Sequence, residues 1–138
     1  MSNSFVSLQN VSLAYGKTVA VSNLDLNVRK GELIALLGPS GCGKTTTMRA
    51  IAGLMSLHSG SISIDGVDMS RTPANKRGIG LVFQSYALFP HLNAFENVAF
   101  GLRIKKFSTP EITTRVDRGL TMVGLSHLAE RKPEEMSG

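Results

Sequence analysis

Apolar and polar residues alternate along two early segments of the chain, residues 5–15 and 23–28. Alternation with a period of two predicts half-buried strands, here in an antiparallel unit. Residues 61–65 have the same pattern and are followed by Gly66, which predicts a further strand and a turn. The early part of the chain is therefore expected to form an antiparallel β-sheet.

Residues 33–37 and 79–83 differ, because they are apolar over almost their whole length. Such runs predict strands that are covered on both faces. The first run leads directly into a glycine-rich loop, and apolar residues then recur at helical spacing at Met48, Ile51, Ala52 and Met55. Gly53 is expected to end this helix. Strand, glycine loop and helix follow in the order that a phosphate-binding loop requires.

The pattern becomes helical from Pro90 onward. Asn93, with Glu96 three residues later, resembles a capping box at the start of one helix. Thr109 and Pro110 are expected to open the next helix. The predicted apolar faces are Phe95, Val98, Ala99 and Leu102 in the first helix and Ile112, Val116, Leu120 and Val123, closed by Gly124, in the second.

A length of 138 residues and a hydrophobic content of 42% favour a single domain with its own core. The change of pattern near Pro90 marks a boundary between subdomains. We predict an antiparallel β subdomain and phosphate-loop core over residues 1–89 and a helical subdomain over residues 90–138.

Composition excludes several classes of protein. The net charge of +5 comes from scattered basic residues, and only residues 103–106 form a basic cluster, without the interleaved aromatic residues that stack on bases. No nucleic-acid partner is therefore expected. A single cysteine, Cys42, excludes an internal disulfide and agrees with a reducing compartment. The chain has neither a signal-peptide pattern nor an apolar run near the roughly 20 residues of a membrane span, so we expect a cytosolic location.

Residues 38–45, GPSGCGKT, match the phosphate-binding pattern Gly-x-x-x-x-Gly-Lys-[Ser/Thr]. Glycines let consecutive N–H groups point into one concavity that receives the β-phosphate, and the following helix adds its positive N-terminal end. Lys44 is expected to reach the β- and γ-phosphates, Thr45 to ligate Mg²⁺, and Thr46 to donate to the α-phosphate. Cys42 is interpreted as a small filler of the loop in preference to a redox group. The candidate nucleotide-binding residues here are Gly38, Pro39, Ser40, Gly41, Cys42, Gly43, Lys44, Thr45 and Thr46.

Further segments resemble the ATP-binding subunits of ABC transporters. Tyr15, about two dozen residues before the loop, matches the aromatic residue that stacks on adenine in that family. An ordinary aromatic at a strand end is the alternative interpretation. Residues 82–102, VFQSYALFPHLNAFENVAFGL, are similar to the family's glutamine loop and the helical segment after it. The resemblance implies that Gln84 ligates Mg²⁺ and approaches the attacking water.

Residues 131–138, RKPEEMSG, resemble the approach to the family's signature motif, with Met136 in place of leucine. The resemblance implies that Ser137 and Gly138 meet the γ-phosphate held by a second subunit. Together these segments cover almost the whole chain. Their sequences most resemble those of importers of the polyamine, ferric iron, phosphonate and maltose group.

This resemblance implies an α/β P-loop NTPase fold of the ABC ATPase type, with an N-terminal antiparallel β subdomain, the start of a helical subdomain and an incomplete core sheet. It implies ATP and Mg²⁺ as ligands, with Lys44 and Gln84 as catalytic residues. The implied partners are transmembrane permease subunits, contacted through residues 89–102, and a second ATP-binding subunit. The implied location is cytoplasmic, peripheral on the inner face of the cell membrane.

In relatives the Walker B aspartate, the catalytic glutamate and the switch histidine come later than Gly138. We therefore expect this chain to be the N-terminal portion of an importer ATPase, able to bind Mg–ATP but not to hydrolyse it efficiently. Two alternatives remain open. One is a non-hydrolysing module that occupies the permease, and the other is a soluble ABC ATPase of DNA repair or translation.

Overall fold

Residues 4–85 and 87–136 are described by a computed structural model of the protein. The chain divides into two units, Met1–Val82 and Phe83–Gly138. The first unit contains strands β1 (Ser4–Tyr15), β2 (Thr18–Arg29), β3 (Ser59–Ile64) and β4 (Val67–Asp68), helix α1 (Lys44–Ile51) and a short 3₁₀ helix, Ala74–Lys76. The second contains helices α2 (Ala94–Ile104) and α3 (Thr109–Met122) and two short 3₁₀ helices, Ser126–Leu128 and Pro133–Glu135.

The four strands form one antiparallel sheet in the order β2-β1-β3-β4. The alternating segments of the sequence account for these strands, so the prediction of an antiparallel β subdomain is confirmed. Tyr15 pairs with Thr18 where β1 turns into β2. Gly16 fits this tight turn because its φ is +58°, a conformation that side chains disfavour.

The core of the first unit lies between the sheet and α1. Ala50 of α1 is fully buried against side chains of β1 and β3, because the helix presents its small residues to the sheet. The predicted helix after the glycine loop is confirmed, and it ends at Ile51 before Gly53, which has a φ of +79°. The buried residues of this core are Leu8, Val11, Leu13, Ala50, Ile62 and Ile64.

The prediction of two strands covered on both faces is wrong for residues 33–37 and 79–83. Neither segment forms a strand, and the exposed fractions of Leu33, Leu37 and Val82 are 97%, 92% and 93%. A strand needs a neighbouring strand to pair its N–H and C=O groups, and no segment within residues 4–85 or 87–136 pairs with either run. These two segments therefore add no strand to the sheet of the described residues.

The second unit is built on α2 and α3, which pack through a small apolar core. Asn93 caps α2 by accepting a hydrogen bond from the Glu96 N–H at 2.8 Å. The Glu96 carboxylate pairs with Arg103, two turns further along α2. Ser108 and Glu111 form a capping box at the start of α3, which begins at Thr109 as predicted. The core residues are Ala99, Ile112, Val116 and Leu120.

Two residues of the predicted helix faces are exposed. Val123 is 65% exposed because α3 has already ended at Met122, and Val98 is 44% exposed on α2. Within the described part of the chain, no helix has both the length and the apolar content needed to cross a bilayer.

Candidate nucleotide-binding site

The first turn of α1 provides unpaired N–H donors directly after the glycine loop. Gly43 is the N-cap of this helix with a φ of +94°, and no side chain caps the turn. The first helical hydrogen bond runs from the Thr47 N–H to the Gly43 carbonyl at 2.8 Å. The N–H groups of Lys44, Thr45 and Thr46 therefore have no intrahelical acceptor, and no acidic residue lies in the turn. This arrangement favours an anion at the helix N-terminus.

The loop packs closely against β2, so glycine is required at its end. A Cβ at Gly43 would lie 2.5 Å from Cγ2 of Val21 and 3.2 Å from the Ala20 carbonyl oxygen. A Cβ at Gly38 would lie 2.6 Å from Sγ of Cys42. The backbone can hold this tight curve only because both positions lack side chains.

Lys44 folds its side chain back into the loop. Its Nζ donates to the carbonyl oxygens of Gly38 at 2.6 Å and Pro39 at 2.7 Å, and lies 3.2 Å from Cys42 Sγ. A flexible ammonium at this position places a full positive charge beside the free N–H groups of α1. Both are donors that bond well to anionic oxygens, so this part of the loop is suited to a polyphosphate.

Alkylation of Cys42 is expected to block nucleotide binding. The thiol is exposed, yet its sulfur contacts the Lys44 ammonium, so an adduct would occupy the space that phosphate needs. Protein alkylated to completion with N-ethylmaleimide should bind ATP at least about tenfold more weakly, since one charge-assisted hydrogen bond is worth ~1.5–3 kcal/mol. A Cys42→Ser variant treated in the same way should keep its affinity. If the fully alkylated protein binds ATP with unchanged affinity, phosphate does not occupy the space next to the Cys42 thiol.

Tyr15 lies beside the first turns of α1, although 31 residues separate it from Thr46 in sequence. Its hydroxyl oxygen is 3.4 Å from Thr46 Oγ1, and the residue is 51% exposed. The Thr46 hydroxyl, with a further contribution from the Arg49 guanidinium one turn along α1, holds the pKa of the Tyr15 phenol below its usual value. Tyr15 and Thr46, the last of the candidate residues 38–46, therefore come together in the first unit. Arg49 was not among the residues selected from the sequence, although its place three residues after Thr46 puts it on the same helix face.

Arg77 is a second residue that the sequence did not single out. It is 7% exposed and donates to the carbonyl oxygens of Thr72 at 2.7 Å and of Ala50 and Ile51 at 2.9 Å each. Burial lowers the pKa of its guanidinium. Arg77 thus caps the C-terminal carbonyls of α1 and ties that helix to the segment before residue 78. The need for a cap after Ile51 was visible in sequence, but nothing identified which of the 15 basic residues supplies it.

The remaining candidates are Thr45, Gln84, Ser137 and Gly138. Thr45 is exposed in the first turn of α1, as a cation ligand at a phosphate site would be. Gln84 is exposed in an irregular segment of the second unit. Ser137 and Gly138 lie outside the described residues.

A partly exposed apolar surface occurs at the start of the second unit. Leu88, Phe89 and Phe100 are 49%, 38% and 39% exposed, and the two phenyl rings lie 4.4 Å apart. We call these three residues the Phe89 surface. Exposed aromatic residues of this kind are typical of sites that contact another protein.

Asn97 holds the backbone beneath the Phe89 surface. Its Oδ1 accepts from the Phe89 N–H at 2.9 Å. Its Nδ2 donates to the carbonyl oxygens of Phe89, Leu92 and Asn93 at 3.0–3.1 Å. One side chain therefore fixes the whole turn that leads into α2.

Comparison with known proteins shows the family. The sequence profile described as ABC transporter matches residues 21–138. The chain is 50% identical over 133 residues to the spermidine/putrescine import ATP-binding protein PotA of Haemophilus influenzae, covering 96% of this chain and 36% of the relative. It is 48% identical over 136 residues to the Fe(3+) ions import ATP-binding protein FbpC of Photobacterium profundum, covering 99% of this chain and 39% of the relative.

A solved structure has the same fold. It is the dimeric, post-hydrolysis state of the ATP-binding cassette MJ0796 bound to ADP and Pi, with a TM-score of 0.86 and 34% identity over 96% of this chain and 63% of that chain. This likeness confirms the predicted P-loop fold of the ABC ATPase type. The chain spans somewhat more than a third of the length of the curated relatives described above. From the profile match and these relatives, the chain belongs to the ABC transporter family.

Proposed function

We propose that the chain is the ATP-binding part of an ABC importer subunit, which couples ATP binding and hydrolysis to solute uptake. The observation that carries the proposal is the set of N–H groups in the first turn of α1 without an intrahelical acceptor, with the Lys44 ammonium bonded to the same glycine loop. The proposed subunit would be located at the inner face of the cell membrane. The names of the relatives, import proteins for polyamines and ferric ions, support the direction of transport. Within the domain, residues 1–89 and 90–138 would be the β and helical subdomains.

The residues present fit Mg–ATP. The loop N–H groups would hold the β-phosphate, Lys44 the β- and γ-phosphates, and Thr46 the α-phosphate, while Tyr15 would stack on adenine. Thr45 and Gln84 would hold Mg²⁺, which when bound neutralises charge on the phosphate oxygens. Ser137 and Gly138 would act on the nucleotide of a second subunit, and the dimer in the solved ABC structure supports that arrangement.

Calorimetric titration with Mg–ATP, Mg–ADP and AMP tests the nucleotide proposal. We expect one saturable site per chain with affinity falling in the order ATP, ADP, AMP, because in the proposed site Lys44 would contact only the β- and γ-phosphates. AMP binding as tight as ATP binding, or no saturable binding at all, would reject the site.

For these 138 residues by themselves we propose ATP binding with little hydrolysis. Phosphoryl transfer depends on positioning and on stabilising developing charge, and none of the proposed site residues is a carboxylate that could orient the attacking water. Phosphate release should therefore stay near background. Turnover at the rate of a complete family member, abolished by Lys44→Ala, would overturn this part of the proposal.

The proposed contact with the permease is made by residues 89–102. Substitution of Asn97 tests this contact. Asn97→Ala removes hydrogen bonds to three residues of the turn, so the Phe89 surface loses its fixed shape. Binding to the permease subunits should weaken at least about tenfold, which corresponds to the loss of one or two hydrogen bonds at ~1 kcal/mol each. ATP affinity should be unchanged. Co-purification with the permease subunits measures the effect.

Thr113→Ala serves as the control, since Thr113 is exposed on α3 and its side chain bonds only within its own helix, to the Thr109 carbonyl. Equal recovery of the permease with the parent and with Asn97→Ala would exclude a contact that depends on this turn.

A further inference from the structure

The contact between Tyr15 and Thr46 links the two ends of the proposed nucleotide site. Thr46 is only 9% exposed, and its hydroxyl has the Tyr15 phenol as its hydrogen-bond partner at 3.4 Å. The contact joins the end of β1 to the first turn of α1. Because a stacking ring needs only its faces, adenine binding gives no reason for a phenol hydroxyl to be aimed at this helix.

The direction of the hydrogen bond decides where the Thr46 proton can go. Each hydroxyl can donate once and accept from other donors, and at this distance either one can be the donor. When a phosphate oxygen is available to accept the Thr46 proton, both hydrogen bonds form only if Tyr15 donates to Thr46. The Thr46 proton is then free to be given to another acceptor, and a chain of two hydrogen bonds strengthens each member.

We infer that Tyr15 is a positioning residue for the phosphates, because its hydroxyl orients the Thr46 hydroxyl so that Thr46 donates to the α-phosphate. This rests on the proposed function and adds a second role to the aromatic ring. It predicts that tyrosine and phenylalanine are not equivalent at this position, although both rings can stack on adenine. The 3.4 Å separation is long for a bond between hydroxyls, which places its contribution at the lower end of the usual range.

Two ligands separate positioning from stacking. ATP has a base, whereas inorganic tripolyphosphate has none and can be affected only through the phosphates. Tyr15→Phe keeps the ring and is expected to weaken binding of both ligands by the same factor, about twofold to threefold. Tyr15→Leu removes the ring as well and should weaken ATP more than tripolyphosphate.

A double-mutant cycle identifies the partner of the phenol. In a Thr46→Val background, Tyr15→Phe should have no further effect, because the hydroxyl that it orients is already gone. Thr46→Ser keeps a hydroxyl at this position, so in that background Tyr15→Phe should again weaken binding of both ligands. Thermal unfolding of each variant shows that the comparison is made between folded proteins.

Other outcomes overturn the inference in distinguishable ways. If the parent binds both ligands and Tyr15→Phe leaves tripolyphosphate affinity unchanged, the phenol has no positioning role. If the effects of Tyr15→Phe and Thr46→Val simply add, the phenol acts through another group. If the parent binds neither ligand, the proposed function fails and the inference fails with it.

Discussion

Lys44→Ala is expected to weaken ATP binding at least about 100-fold. In the proposed site the ammonium would bond to the β- and γ-phosphates. Hydrogen bonds to charged groups contribute ~1.5–3 kcal/mol each, and ~1.4 kcal/mol corresponds to a factor of ten. The side chain also bridges the carbonyls of Gly38 and Pro39 at 2.6 and 2.7 Å, so its removal loosens the loop that presents the N–H donors. Calorimetric titration with Mg–ATP measures the effect directly.

Lys30→Ala is the matched control. Lys30 is an exposed lysine of the same unit, in the turn that follows β2, and lies outside the proposed site. Its replacement lowers the net charge by the same amount and should leave ATP affinity within a factor of about two, as distant exposed charges are screened by salt. Equal affinities of the Lys44→Ala and Lys30→Ala proteins would rule out the proposed role of Lys44.

Gly60→Ala is expected to destabilise the first unit by roughly 3–5 kcal/mol, the sum of backbone strain and overpacking. Gly60 has a φ of +84°, which side chains disfavour, and an added Cβ would overlap the carbonyl oxygens of Gln9 and Asn10. These atoms belong to the backbone of β1, which cannot move aside without breaking its pairing with β2 or β3. Urea unfolding followed by circular dichroism measures the loss.

Gly66→Ala separates the two causes. Gly66 also has a positive φ, +76°, but an added Cβ there would meet nothing within 4 Å among the described residues. This variant should lose only the strain of the backbone conformation, about 1–2 kcal/mol. Similar losses in the Gly60→Ala and Gly66→Ala proteins would show that the close approach of β1 and β3 at Gly60 is not rigid.

The sequence predicted those elements that depend on a pattern within a short stretch of residues. The strands β1 to β3 follow from alternation and α1 from its spacing after the glycine loop. The cap of α2 follows from Asn93, and the start of α3 follows from Thr109 and Pro110. The strand prediction for residues 33–37 failed, because an apolar run indicates that its side chains favour burial but does not identify the segment that buries them. No described strand pairs with that run, and its side chains are exposed.

The candidate site divides in the same way. The glycine loop and Lys44 were predicted because their chemistry is contained in eight consecutive residues. Tyr15 and Thr46 are 31 residues apart in sequence, and Arg77 is 26 and 27 residues from the carbonyls that it binds at the end of α1. These contacts therefore exist only once the sheet and the helix have assembled. Asn97 bonds to neighbours only four to eight residues away, but the turn that it holds has no repeating pattern.

The central claim is that residues 38–46 bind the phosphates of a nucleotide. Backbone amide NMR spectra of the chain titrated with Mg–ATP test it most directly, since the unpaired N–H groups are themselves the reporters. The account predicts the largest shifts at Gly41, Gly43, Lys44 and Thr45, with the same shifts produced by tripolyphosphate. Saturating shifts confined to other parts of the chain, or none in the loop, would contradict it.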